Sequence, residues 1–202
     1  MLAGSKVYVV DDDLTIRILL EGVFSAAELD VETYSSAEEF LDTYNRDNFG
    51  CLLLDIMMPG MDGLELQQKL VARGNKTPVI FLTGAAEVGV AVQAFKAGAV
   101  DFIEKPVQPK AVVSCVKMAM ELDLKNRYKE LHVLQIQQRI SQLTPREYEV
   151  MNWIVDGKSN KEIARILGIS GRTVEVHRRN VFAKMNANAV AELVQMVLEV
   201  QK

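Results

Sequence analysis

Six residues within the first 105 positions have types that could do chemistry together: Asp11, Asp12, Asp13, Asp55, Thr83 and Lys105. Three or more carboxylates offset by one lysine repel each other strongly, so on a shared rim they should hold a hard divalent cation. Mg²⁺ suits a few carboxylates and keeps several waters. Such an ion leaves positions open for phosphoryl oxygens. Asp55 is then a candidate nucleophile toward phosphorus, forming an aspartyl phosphate whose oxygens are contacted by Lys105 and the Thr83 hydroxyl. Taken singly, each residue has a plainer reading, since an Asp after a strand is usually a helix cap or a solvated turn. Taken jointly, that reading needs a separate reason for each one.

Whether these groups meet depends on the elements that carry them. Short β-branched apolar runs at 7–10, 31–34, 51–56, 79–83 and 101–104 read as strands. The first, third and fourth are continuously apolar, as expected of parallel strands covered on both faces. Helix candidates lie between and after them, at about 14–27, 37–47, 64–73, 87–97 and 109–121. Ser36 with Glu39 has the spacing of a capping box, and Pro109 fits a first helical turn. Five βα units make a doubly wound α/β sheet whose ligand site lies at the carboxyl ends of the strands. Those ends carry Asp11 to Asp13, Asp55, Thr83 and Lys105, which therefore converge on one rim.

The motifs Val9-Val10-Asp11-Asp12, Leu54-Asp55-Ile56-Met57-Met58-Pro59-Gly60-Met61-Asp62-Gly63, Leu82-Thr83-Gly84 and Lys105-Pro106 resemble the receiver domain of bacterial two-component response regulators, a flavodoxin-like (βα)5 fold. The resemblance covers about residues 5–120. It implies that Asp55 is the phospho-acceptor, that Asp11 and Asp12 are metal carboxylates, and that Met57 binds the metal through its backbone carbonyl. It further implies a cis peptide bond before Pro106 and a rotating switch aromatic at Phe102. Asp13 falls where the family varies and is expected to be a helix cap. Thr83, drawn toward a phosphoryl group, would vacate space for the Phe102 ring and alter the face formed by the segment 87–97, the strand 101–104 and the helix that follows it.

Beyond residue 120 the strand signal stops. From 121 to 142 there is no Gly or Pro, and Leu124, Tyr128, Leu131 and Leu134 recur at helical spacing, which reads as a helical linker that could continue the helix before it. A solvated spacer helix is the alternative. Residues 143–202 read as four short helices. Thr144, Pro145 and Glu147 open the first, Ser159 and Glu162 the second, Ser170 the third and Asn188 the fourth, with Gly157 and Gly168 as stops. The second and third, joined by Gly168-Ile169-Ser170, form a helix-turn-helix. On the helix from Ser170, Val174, His177, Val181 and Met185 share the core face. Arg172, Glu175, Val176, Arg179 and Ala183 form the opposite stripe, small and polar enough for a major groove. Lys158, Lys161, Arg178 and the helix N-termini at Ser159 and Ser170 would position the DNA backbone. The last helix has more apolar surface than one contact face needs, so its surplus should pair with a second copy.

Leu143-Thr144-Pro145-Arg146-Glu147, Ser159 through Ala164, and Arg172-Thr173-Val174-Glu175-Val176-His177 resemble the helix-turn-helix of the LuxR/FixJ class of regulators, which places Thr173 in the DNA-facing set. Many relatives carry a basic residue where Glu175 stands. The division expected is therefore a receiver at 1–120, a helical linker at 121–142 and an all-α DNA-binding domain at 143–202. Together the resemblances imply a transcription factor rather than an enzyme. It would take a phosphoryl group from a sensor histidine kinase, dimerise, bind double-stranded DNA and act on RNA polymerase, leaning toward activation.

Bulk properties agree with two domains that have different partners. The net charge of −4 is unevenly spread, with −7 over residues 1–120, +1 over 121–140 and +2 over 141–202. Two cysteines are too few for a disulfide framework. No uncharged apolar run approaches the roughly 18 residues of a membrane span, and residues 1–6 offer no signal peptide, so a cytoplasmic protein without a membrane partner is expected. In a Mg²⁺-dependent phosphatase with an Asp nucleophile, the nucleophile would be expected in a DxD pattern after the first strand, and this chain lacks a substrate cap insertion. A receiver that dimerises without phosphate keeps the fold, but the intact Asp, Thr and Lys set argues against it.

Overall fold

A computed structural model describes residues 5–43, 49–84 and 98–201, and these fall into two compact units, Met1–Asn126 and Arg127–Lys202. The first unit is built on a parallel sheet of β1 (Ser5–Val10), β2 (Asp30–Tyr34), β3 (Phe49–Asp55), β4 (Val79–Thr83) and β5 (Asp101–Glu104), in the order β2-β1-β3-β4-β5. The three apolar runs of the sequence are the three central strands. Their alternate residues feed two separate cores. Val7, Val9, Cys51, Leu53, Ile80 and Leu82 pack with α1 (Leu14–Ala26) and the first turns of α4 (Pro109–Ser141). Tyr8, Val10, Leu52, Leu54 and Phe81 pack with α2 (Ala37–Thr43) and α3 (Gly63–Ala72). The helix expected at 87–97, and the end of the one expected at 37–47, lie outside the described residues.

Close approach forces glycine at two positions. An added Cβ at Gly50 would lie 1.7 Å from the Lys6 carbonyl oxygen, and Gly50 has φ +137°. At Gly63 it would lie 2.2 Å from the Asp55 carbonyl oxygen, so only glycine lets α3 start directly beneath the end of β3. The expected capping box at Ser36 is half right. Ser36 Oγ does accept from the Glu39 N–H, but the Glu39 carboxylate turns to the N–H and hydroxyl of Ser35, both at 2.7 Å. With Ser35 offering two donors one residue earlier, the carboxylate takes both.

The helix α4 runs unbroken through the expected linker. Tyr128, Leu131 and Leu134 are exposed, while Ile136 is fully buried in the core of the second unit. Asp123, within the predicted linker, is buried in the first unit and accepts from the Gly50 N–H at 3.4 Å.

That second core joins Ile136 to α5 (Pro145–Val155), α6 (Asn160–Leu167), α7 (Gly171–Met185) and α8 (Val190–Val200). Thr144 with Glu147 and Ser159 with Glu162 form complete capping boxes, and Gly168 ends α6 in the left-handed conformation. The start of α8 differs from expectation. Ala189 occupies the cap position without a side-chain bond, and the Asn188 N–H donates instead to the Glu192 carboxylate at 2.7 Å. Glu192, in the first turn, reaches back to that N–H, and the cap position itself offers no side-chain acceptor to the first turn.

Candidate functional site

The carboxyl ends of β1 and β3 bring Asp11, Asp12 and Asp55 together, with a carboxylate oxygen from each within 4.8 Å of the others. Asp11 and Asp55 are buried and Asp12 is exposed, so the cluster opens to solvent on the Asp12 side. Lys105, just past β5, places its Nζ 2.8 Å from Asp11 Oδ2 and 3.1 Å from Asp55 Oδ1. The Lys105–Pro106 peptide is cis. Burial pushes the Asp55 carboxyl up from the ordinary aspartate range, Lys105 pulls it back, and the neighbouring Asp11 charge adds to the rise. Burial would lower the Lys105 ammonium, but its bonds to Asp11 and Asp55 outweigh that and hold it above the ordinary lysine range.

This donor set fits a hard divalent cation. It is all oxygen, it carries three carboxylates against one ammonium, and the buried Asp11 Oδ2 has no hydrogen-bond partner among the described residues beside its ion pair with Lys105. The Met57 side chain is exposed, so any ligand it supplies would be the backbone carbonyl.

Thr83 ends β4 next to these groups, but its hydroxyl donates to the Gly84 carbonyl at 2.9 Å. Phe102 pairs with Phe81 across β4 and β5, and the rings stack at a centroid distance of 5.7 Å and an interplanar angle of 18°. It is half-buried against the α2–α3 core. Asp13 is the helix cap expected, accepting from the Thr15 N–H at 2.8 Å, and that bond holds its carboxyl below the usual range.

Two residues not singled out in the sequence also touch this rim. Arg17 donates to the carbonyls of Asp11 and Asp12. The Glu38 carboxylate accepts from the Met61 N–H at 3.1 Å, tying α2 to the loop after Asp55. The signal for Arg17 was its place one turn after the Asp13 cap, where a helical side chain points back toward the N-terminus. Glu38 had no local signal, because its partner lies 23 residues away.

In the second unit, Arg172, Thr173, Glu175, Val176, Arg179 and Ala183 are all exposed along α7, while Val174, Val181 and Met185 are fully buried. His177 is half-buried and its Nδ1 has no hydrogen-bond partner, consistent with a packed residue. Arg178 is held over the Phe182 ring at 5.8 Å. Lys158, Ser159 and Lys161 are exposed around the start of α6. The two N-termini differ as anion sites. At α6 the Glu162 carboxylate already takes the Ser159 N–H and hydroxyl. At α7 the first turn has no acidic residue, and the cap is the neutral Ser170 hydroxyl, bonded to the Thr173 N–H and hydroxyl. The α7 terminus therefore suits a phosphate better.

Arg146 braces the motif by donating to the Leu167 carbonyl at the end of α6 at 2.6 Å. On α8, Leu193, Met196 and Val197 enter the core, leaving Val190 and Leu198 exposed and Val194 half-exposed on one stripe.

Known proteins carry both halves of this arrangement. The family model "Response regulator receiver domain" matches residues 7–117, and "Bacterial regulatory proteins, luxR family" matches residues 141–197. The chain is 38% identical over 198 residues to the transcriptional regulatory protein FixJ of Bradyrhizobium diazoefficiens, covering 98% of this chain and 97% of that protein. It is 36% identical to the response regulator protein TodT of Pseudomonas putida, over 96% of this chain and 85% of TodT. Among solved structures, the response regulator StyR superposes with a TM-score of 0.88 at 38% identity, over 98% of this chain and all of that one. Full-length FixJ from B. japonicum gives 0.62 at 38% identity, over 98% of this chain and 97% of that one. The chain thus belongs to the LuxR/FixJ class of two-component response regulators, transcription factors that join a receiver domain to a LuxR-type DNA-binding domain and are not enzymes.

Proposed function

We propose that Asp55 accepts a phosphoryl group from a sensor histidine kinase in a Mg²⁺-dependent reaction, and that the phosphorylated protein dimerises and binds specific double-stranded DNA to regulate transcription. Residues 1–120 act as the receiver, 121–142 as a helical link and 143–202 as the DNA-binding domain. The observation that carries this reading is the approach of the Asp11, Asp12 and Asp55 carboxylates to within 4.8 Å, with Lys105 paired to two of them. In the transfer, an Asp55 carboxylate oxygen attacks phosphorus while the bond to the donor nitrogen breaks.

Asp11, Asp12, Asp55 and the Met57 carbonyl would hold the Mg²⁺, which when bound supplies positive charge to the equatorial phosphoryl oxygens. Lys105, already 3.1 Å from Asp55, neutralises charge on the same oxygens. The Thr83 hydroxyl gives up the Gly84 carbonyl for a phosphoryl oxygen. That movement frees room for Phe102 to leave its stack on Phe81 and change the surface around β5.

On DNA, Arg172, Thr173, Glu175, Val176 and Arg179 face the bases, and Lys158, Ser159, Lys161, Ser170 and Arg178 position the backbone. RNA polymerase is the downstream partner, with activation the favoured outcome. Among the described residues no helix is long and apolar enough to cross a membrane. The proposed site of action, as a DNA-binding regulator, is the cytoplasm.

The test is chemical. Asp55→Asn keeps the shape and removes the nucleophile, so intact mass after treatment with a small-molecule phosphodonor and Mg²⁺ should show one added phosphate on the wild type and none on the variant. A phosphate on the variant would overturn the assignment.

A further inference from the structure

Arg17 sits one turn into α1 and is half-buried. Its Nη1 donates to the Asp11 carbonyl at 2.7 Å and to the Asp12 carbonyl at 3.0 Å. One nitrogen bridging two successive carbonyls fixes the two peptide planes on either side of the Asp12 Cα, and with them the direction in which the Asp12 side chain leaves the chain. Two further bonds hold the same turn. Asp11 Oδ1 accepts from the Asp13 N–H at 2.9 Å, which leaves Oδ2 for Lys105, and Asp13 Oδ1 accepts from the Thr15 N–H.

The three carboxylates are not held equally. Asp11 and Asp13 are each tied through a side-chain oxygen. Asp12 is exposed, and the contact described for it is the one from Arg17 to its carbonyl. The cation thus binds the turn from the carbonyl side and leaves the carboxylate oxygens to Lys105 and the solvent-facing opening.

Resting on the receiver reading above, we propose that Arg17 is a positioning residue for the divalent-cation site, setting Mg²⁺ affinity by holding the peptides on either side of Asp12 so that the Asp12 carboxylate faces Asp55. Its charge and its geometry work in opposite directions. As a cation near three carboxylates, Arg17 repels Mg²⁺, so its removal on charge grounds alone would tighten binding. As a clamp on the ligand-bearing turn, its removal loosens the ligand set, and partners that orient metal ligands typically contribute about 10- to 100-fold in affinity. The sign of the change therefore separates the two roles.

Calorimetric titration of the full, unphosphorylated chain with Mg²⁺ supplies the readout. The positioning role predicts that Arg17→Ala weakens Mg²⁺ binding about tenfold or more. It also predicts that the Mg²⁺ concentration for half-maximal phosphodonor reaction rises by a similar factor, while the rate at saturating Mg²⁺ stays within about twofold. Arg17→Lys keeps the charge but is shorter and lacks the planar guanidinium that aims Nη1 at both carbonyls, and should fall between wild type and Arg17→Ala. Unchanged or tighter Mg²⁺ binding in a variant that melts like the wild type overturns the inference. If Arg17→Ala fails to fold, Arg17→Lys decides, because wild-type affinity there leaves charge as the whole contribution. A wild-type chain that binds no Mg²⁺ overturns the receiver reading as well, whereas normal wild-type binding with an unaffected variant overturns this inference alone.

Discussion

Glu147 does two jobs with one carboxylate. It closes the capping box of α5 by accepting from the Thr144 N–H at 2.9 Å, and it pairs with Lys184 of α7 at 2.7 Å. The Lys184 bond, followed by the Thr144 N–H, brings its carboxyl from the ordinary 4.5 down to about 2. A depressed carboxylate stabilises the fold above its unfolded-state pKa and loses that contribution as pH falls through the folded value. The second unit should therefore keep this contribution above about pH 4.5 and shed it between there and about pH 2. Removing the charge by Glu147→Gln should cost about 1.5 to 3 kcal/mol at neutral pH, the usual range for a hydrogen bond to a charged group. It should also flatten the acid limb of the unfolding curve. Denaturant titrations from pH 2 to 7 check both, and an equal acid slope in variant and wild type would place the sensitivity in another residue.

At the scale of the element, the proposed DNA contacts separate reading on α7 from positioning on α6. Arg179 lies on the exposed stripe, so Arg179→Ala should cost roughly 1 to 3 kcal/mol at the specific site and relax preference at one base pair. Lys161, exposed at the start of α6, should meet phosphate, and its loss ought to weaken all sequences alike and reduce the salt slope. Titrations against single-base operator variants distinguish the two. Equal loss of specific and nonspecific affinity on Arg179→Ala would remove it from the reading set. The sequence was most legible where chemistry is local. The boxes at Thr144–Glu147 and Ser159–Glu162 satisfy donors within one turn, so spacing alone predicts them. It failed where a competitor stood nearby, as with Ser35 for Glu39 and Glu192 for the start of α8. Helical spacing in the linker did not say which face packs, and there Ile136 enters the second core while Leu131 and Leu134 stay exposed. The acidic rim was legible because strand ends of a parallel sheet must meet. Glu38 was not, because its bond to Met61 exists only once α2 has packed.

For the whole molecule, the proposed function requires that a phosphate on one unit change the other's affinity for DNA. On that proposal, two of the described surfaces would pair copies of the chain, with separable contributions. Around β5, the stack of Phe102 on Phe81 is the part of the receiver that a shift of Thr83 would disturb. On α8, the stripe of Val190, Val194 and Leu198 is left over after Leu193, Met196 and Val197 have filled the core. It is short, so it should contribute little until DNA holds two copies with half-sites about one helical turn apart. A switch of this kind needs a coupling of only about 1 to 3 kcal/mol, or roughly 5- to 150-fold in dimer affinity. Phosphorylation should therefore raise the dimer fraction in sedimentation without DNA, and Leu198→Ser should leave that shift and the phosphorylation rate intact. The same variant should bind a two-half-site operator more weakly and less cooperatively than wild type, while binding a single half-site normally. If phosphate leaves the monomer fraction unchanged across a wide concentration range, the receiver surface is not the switch. If Leu198→Ser abolishes the phosphate-dependent shift itself, the two surfaces are one interface and the division of labour argued here is wrong.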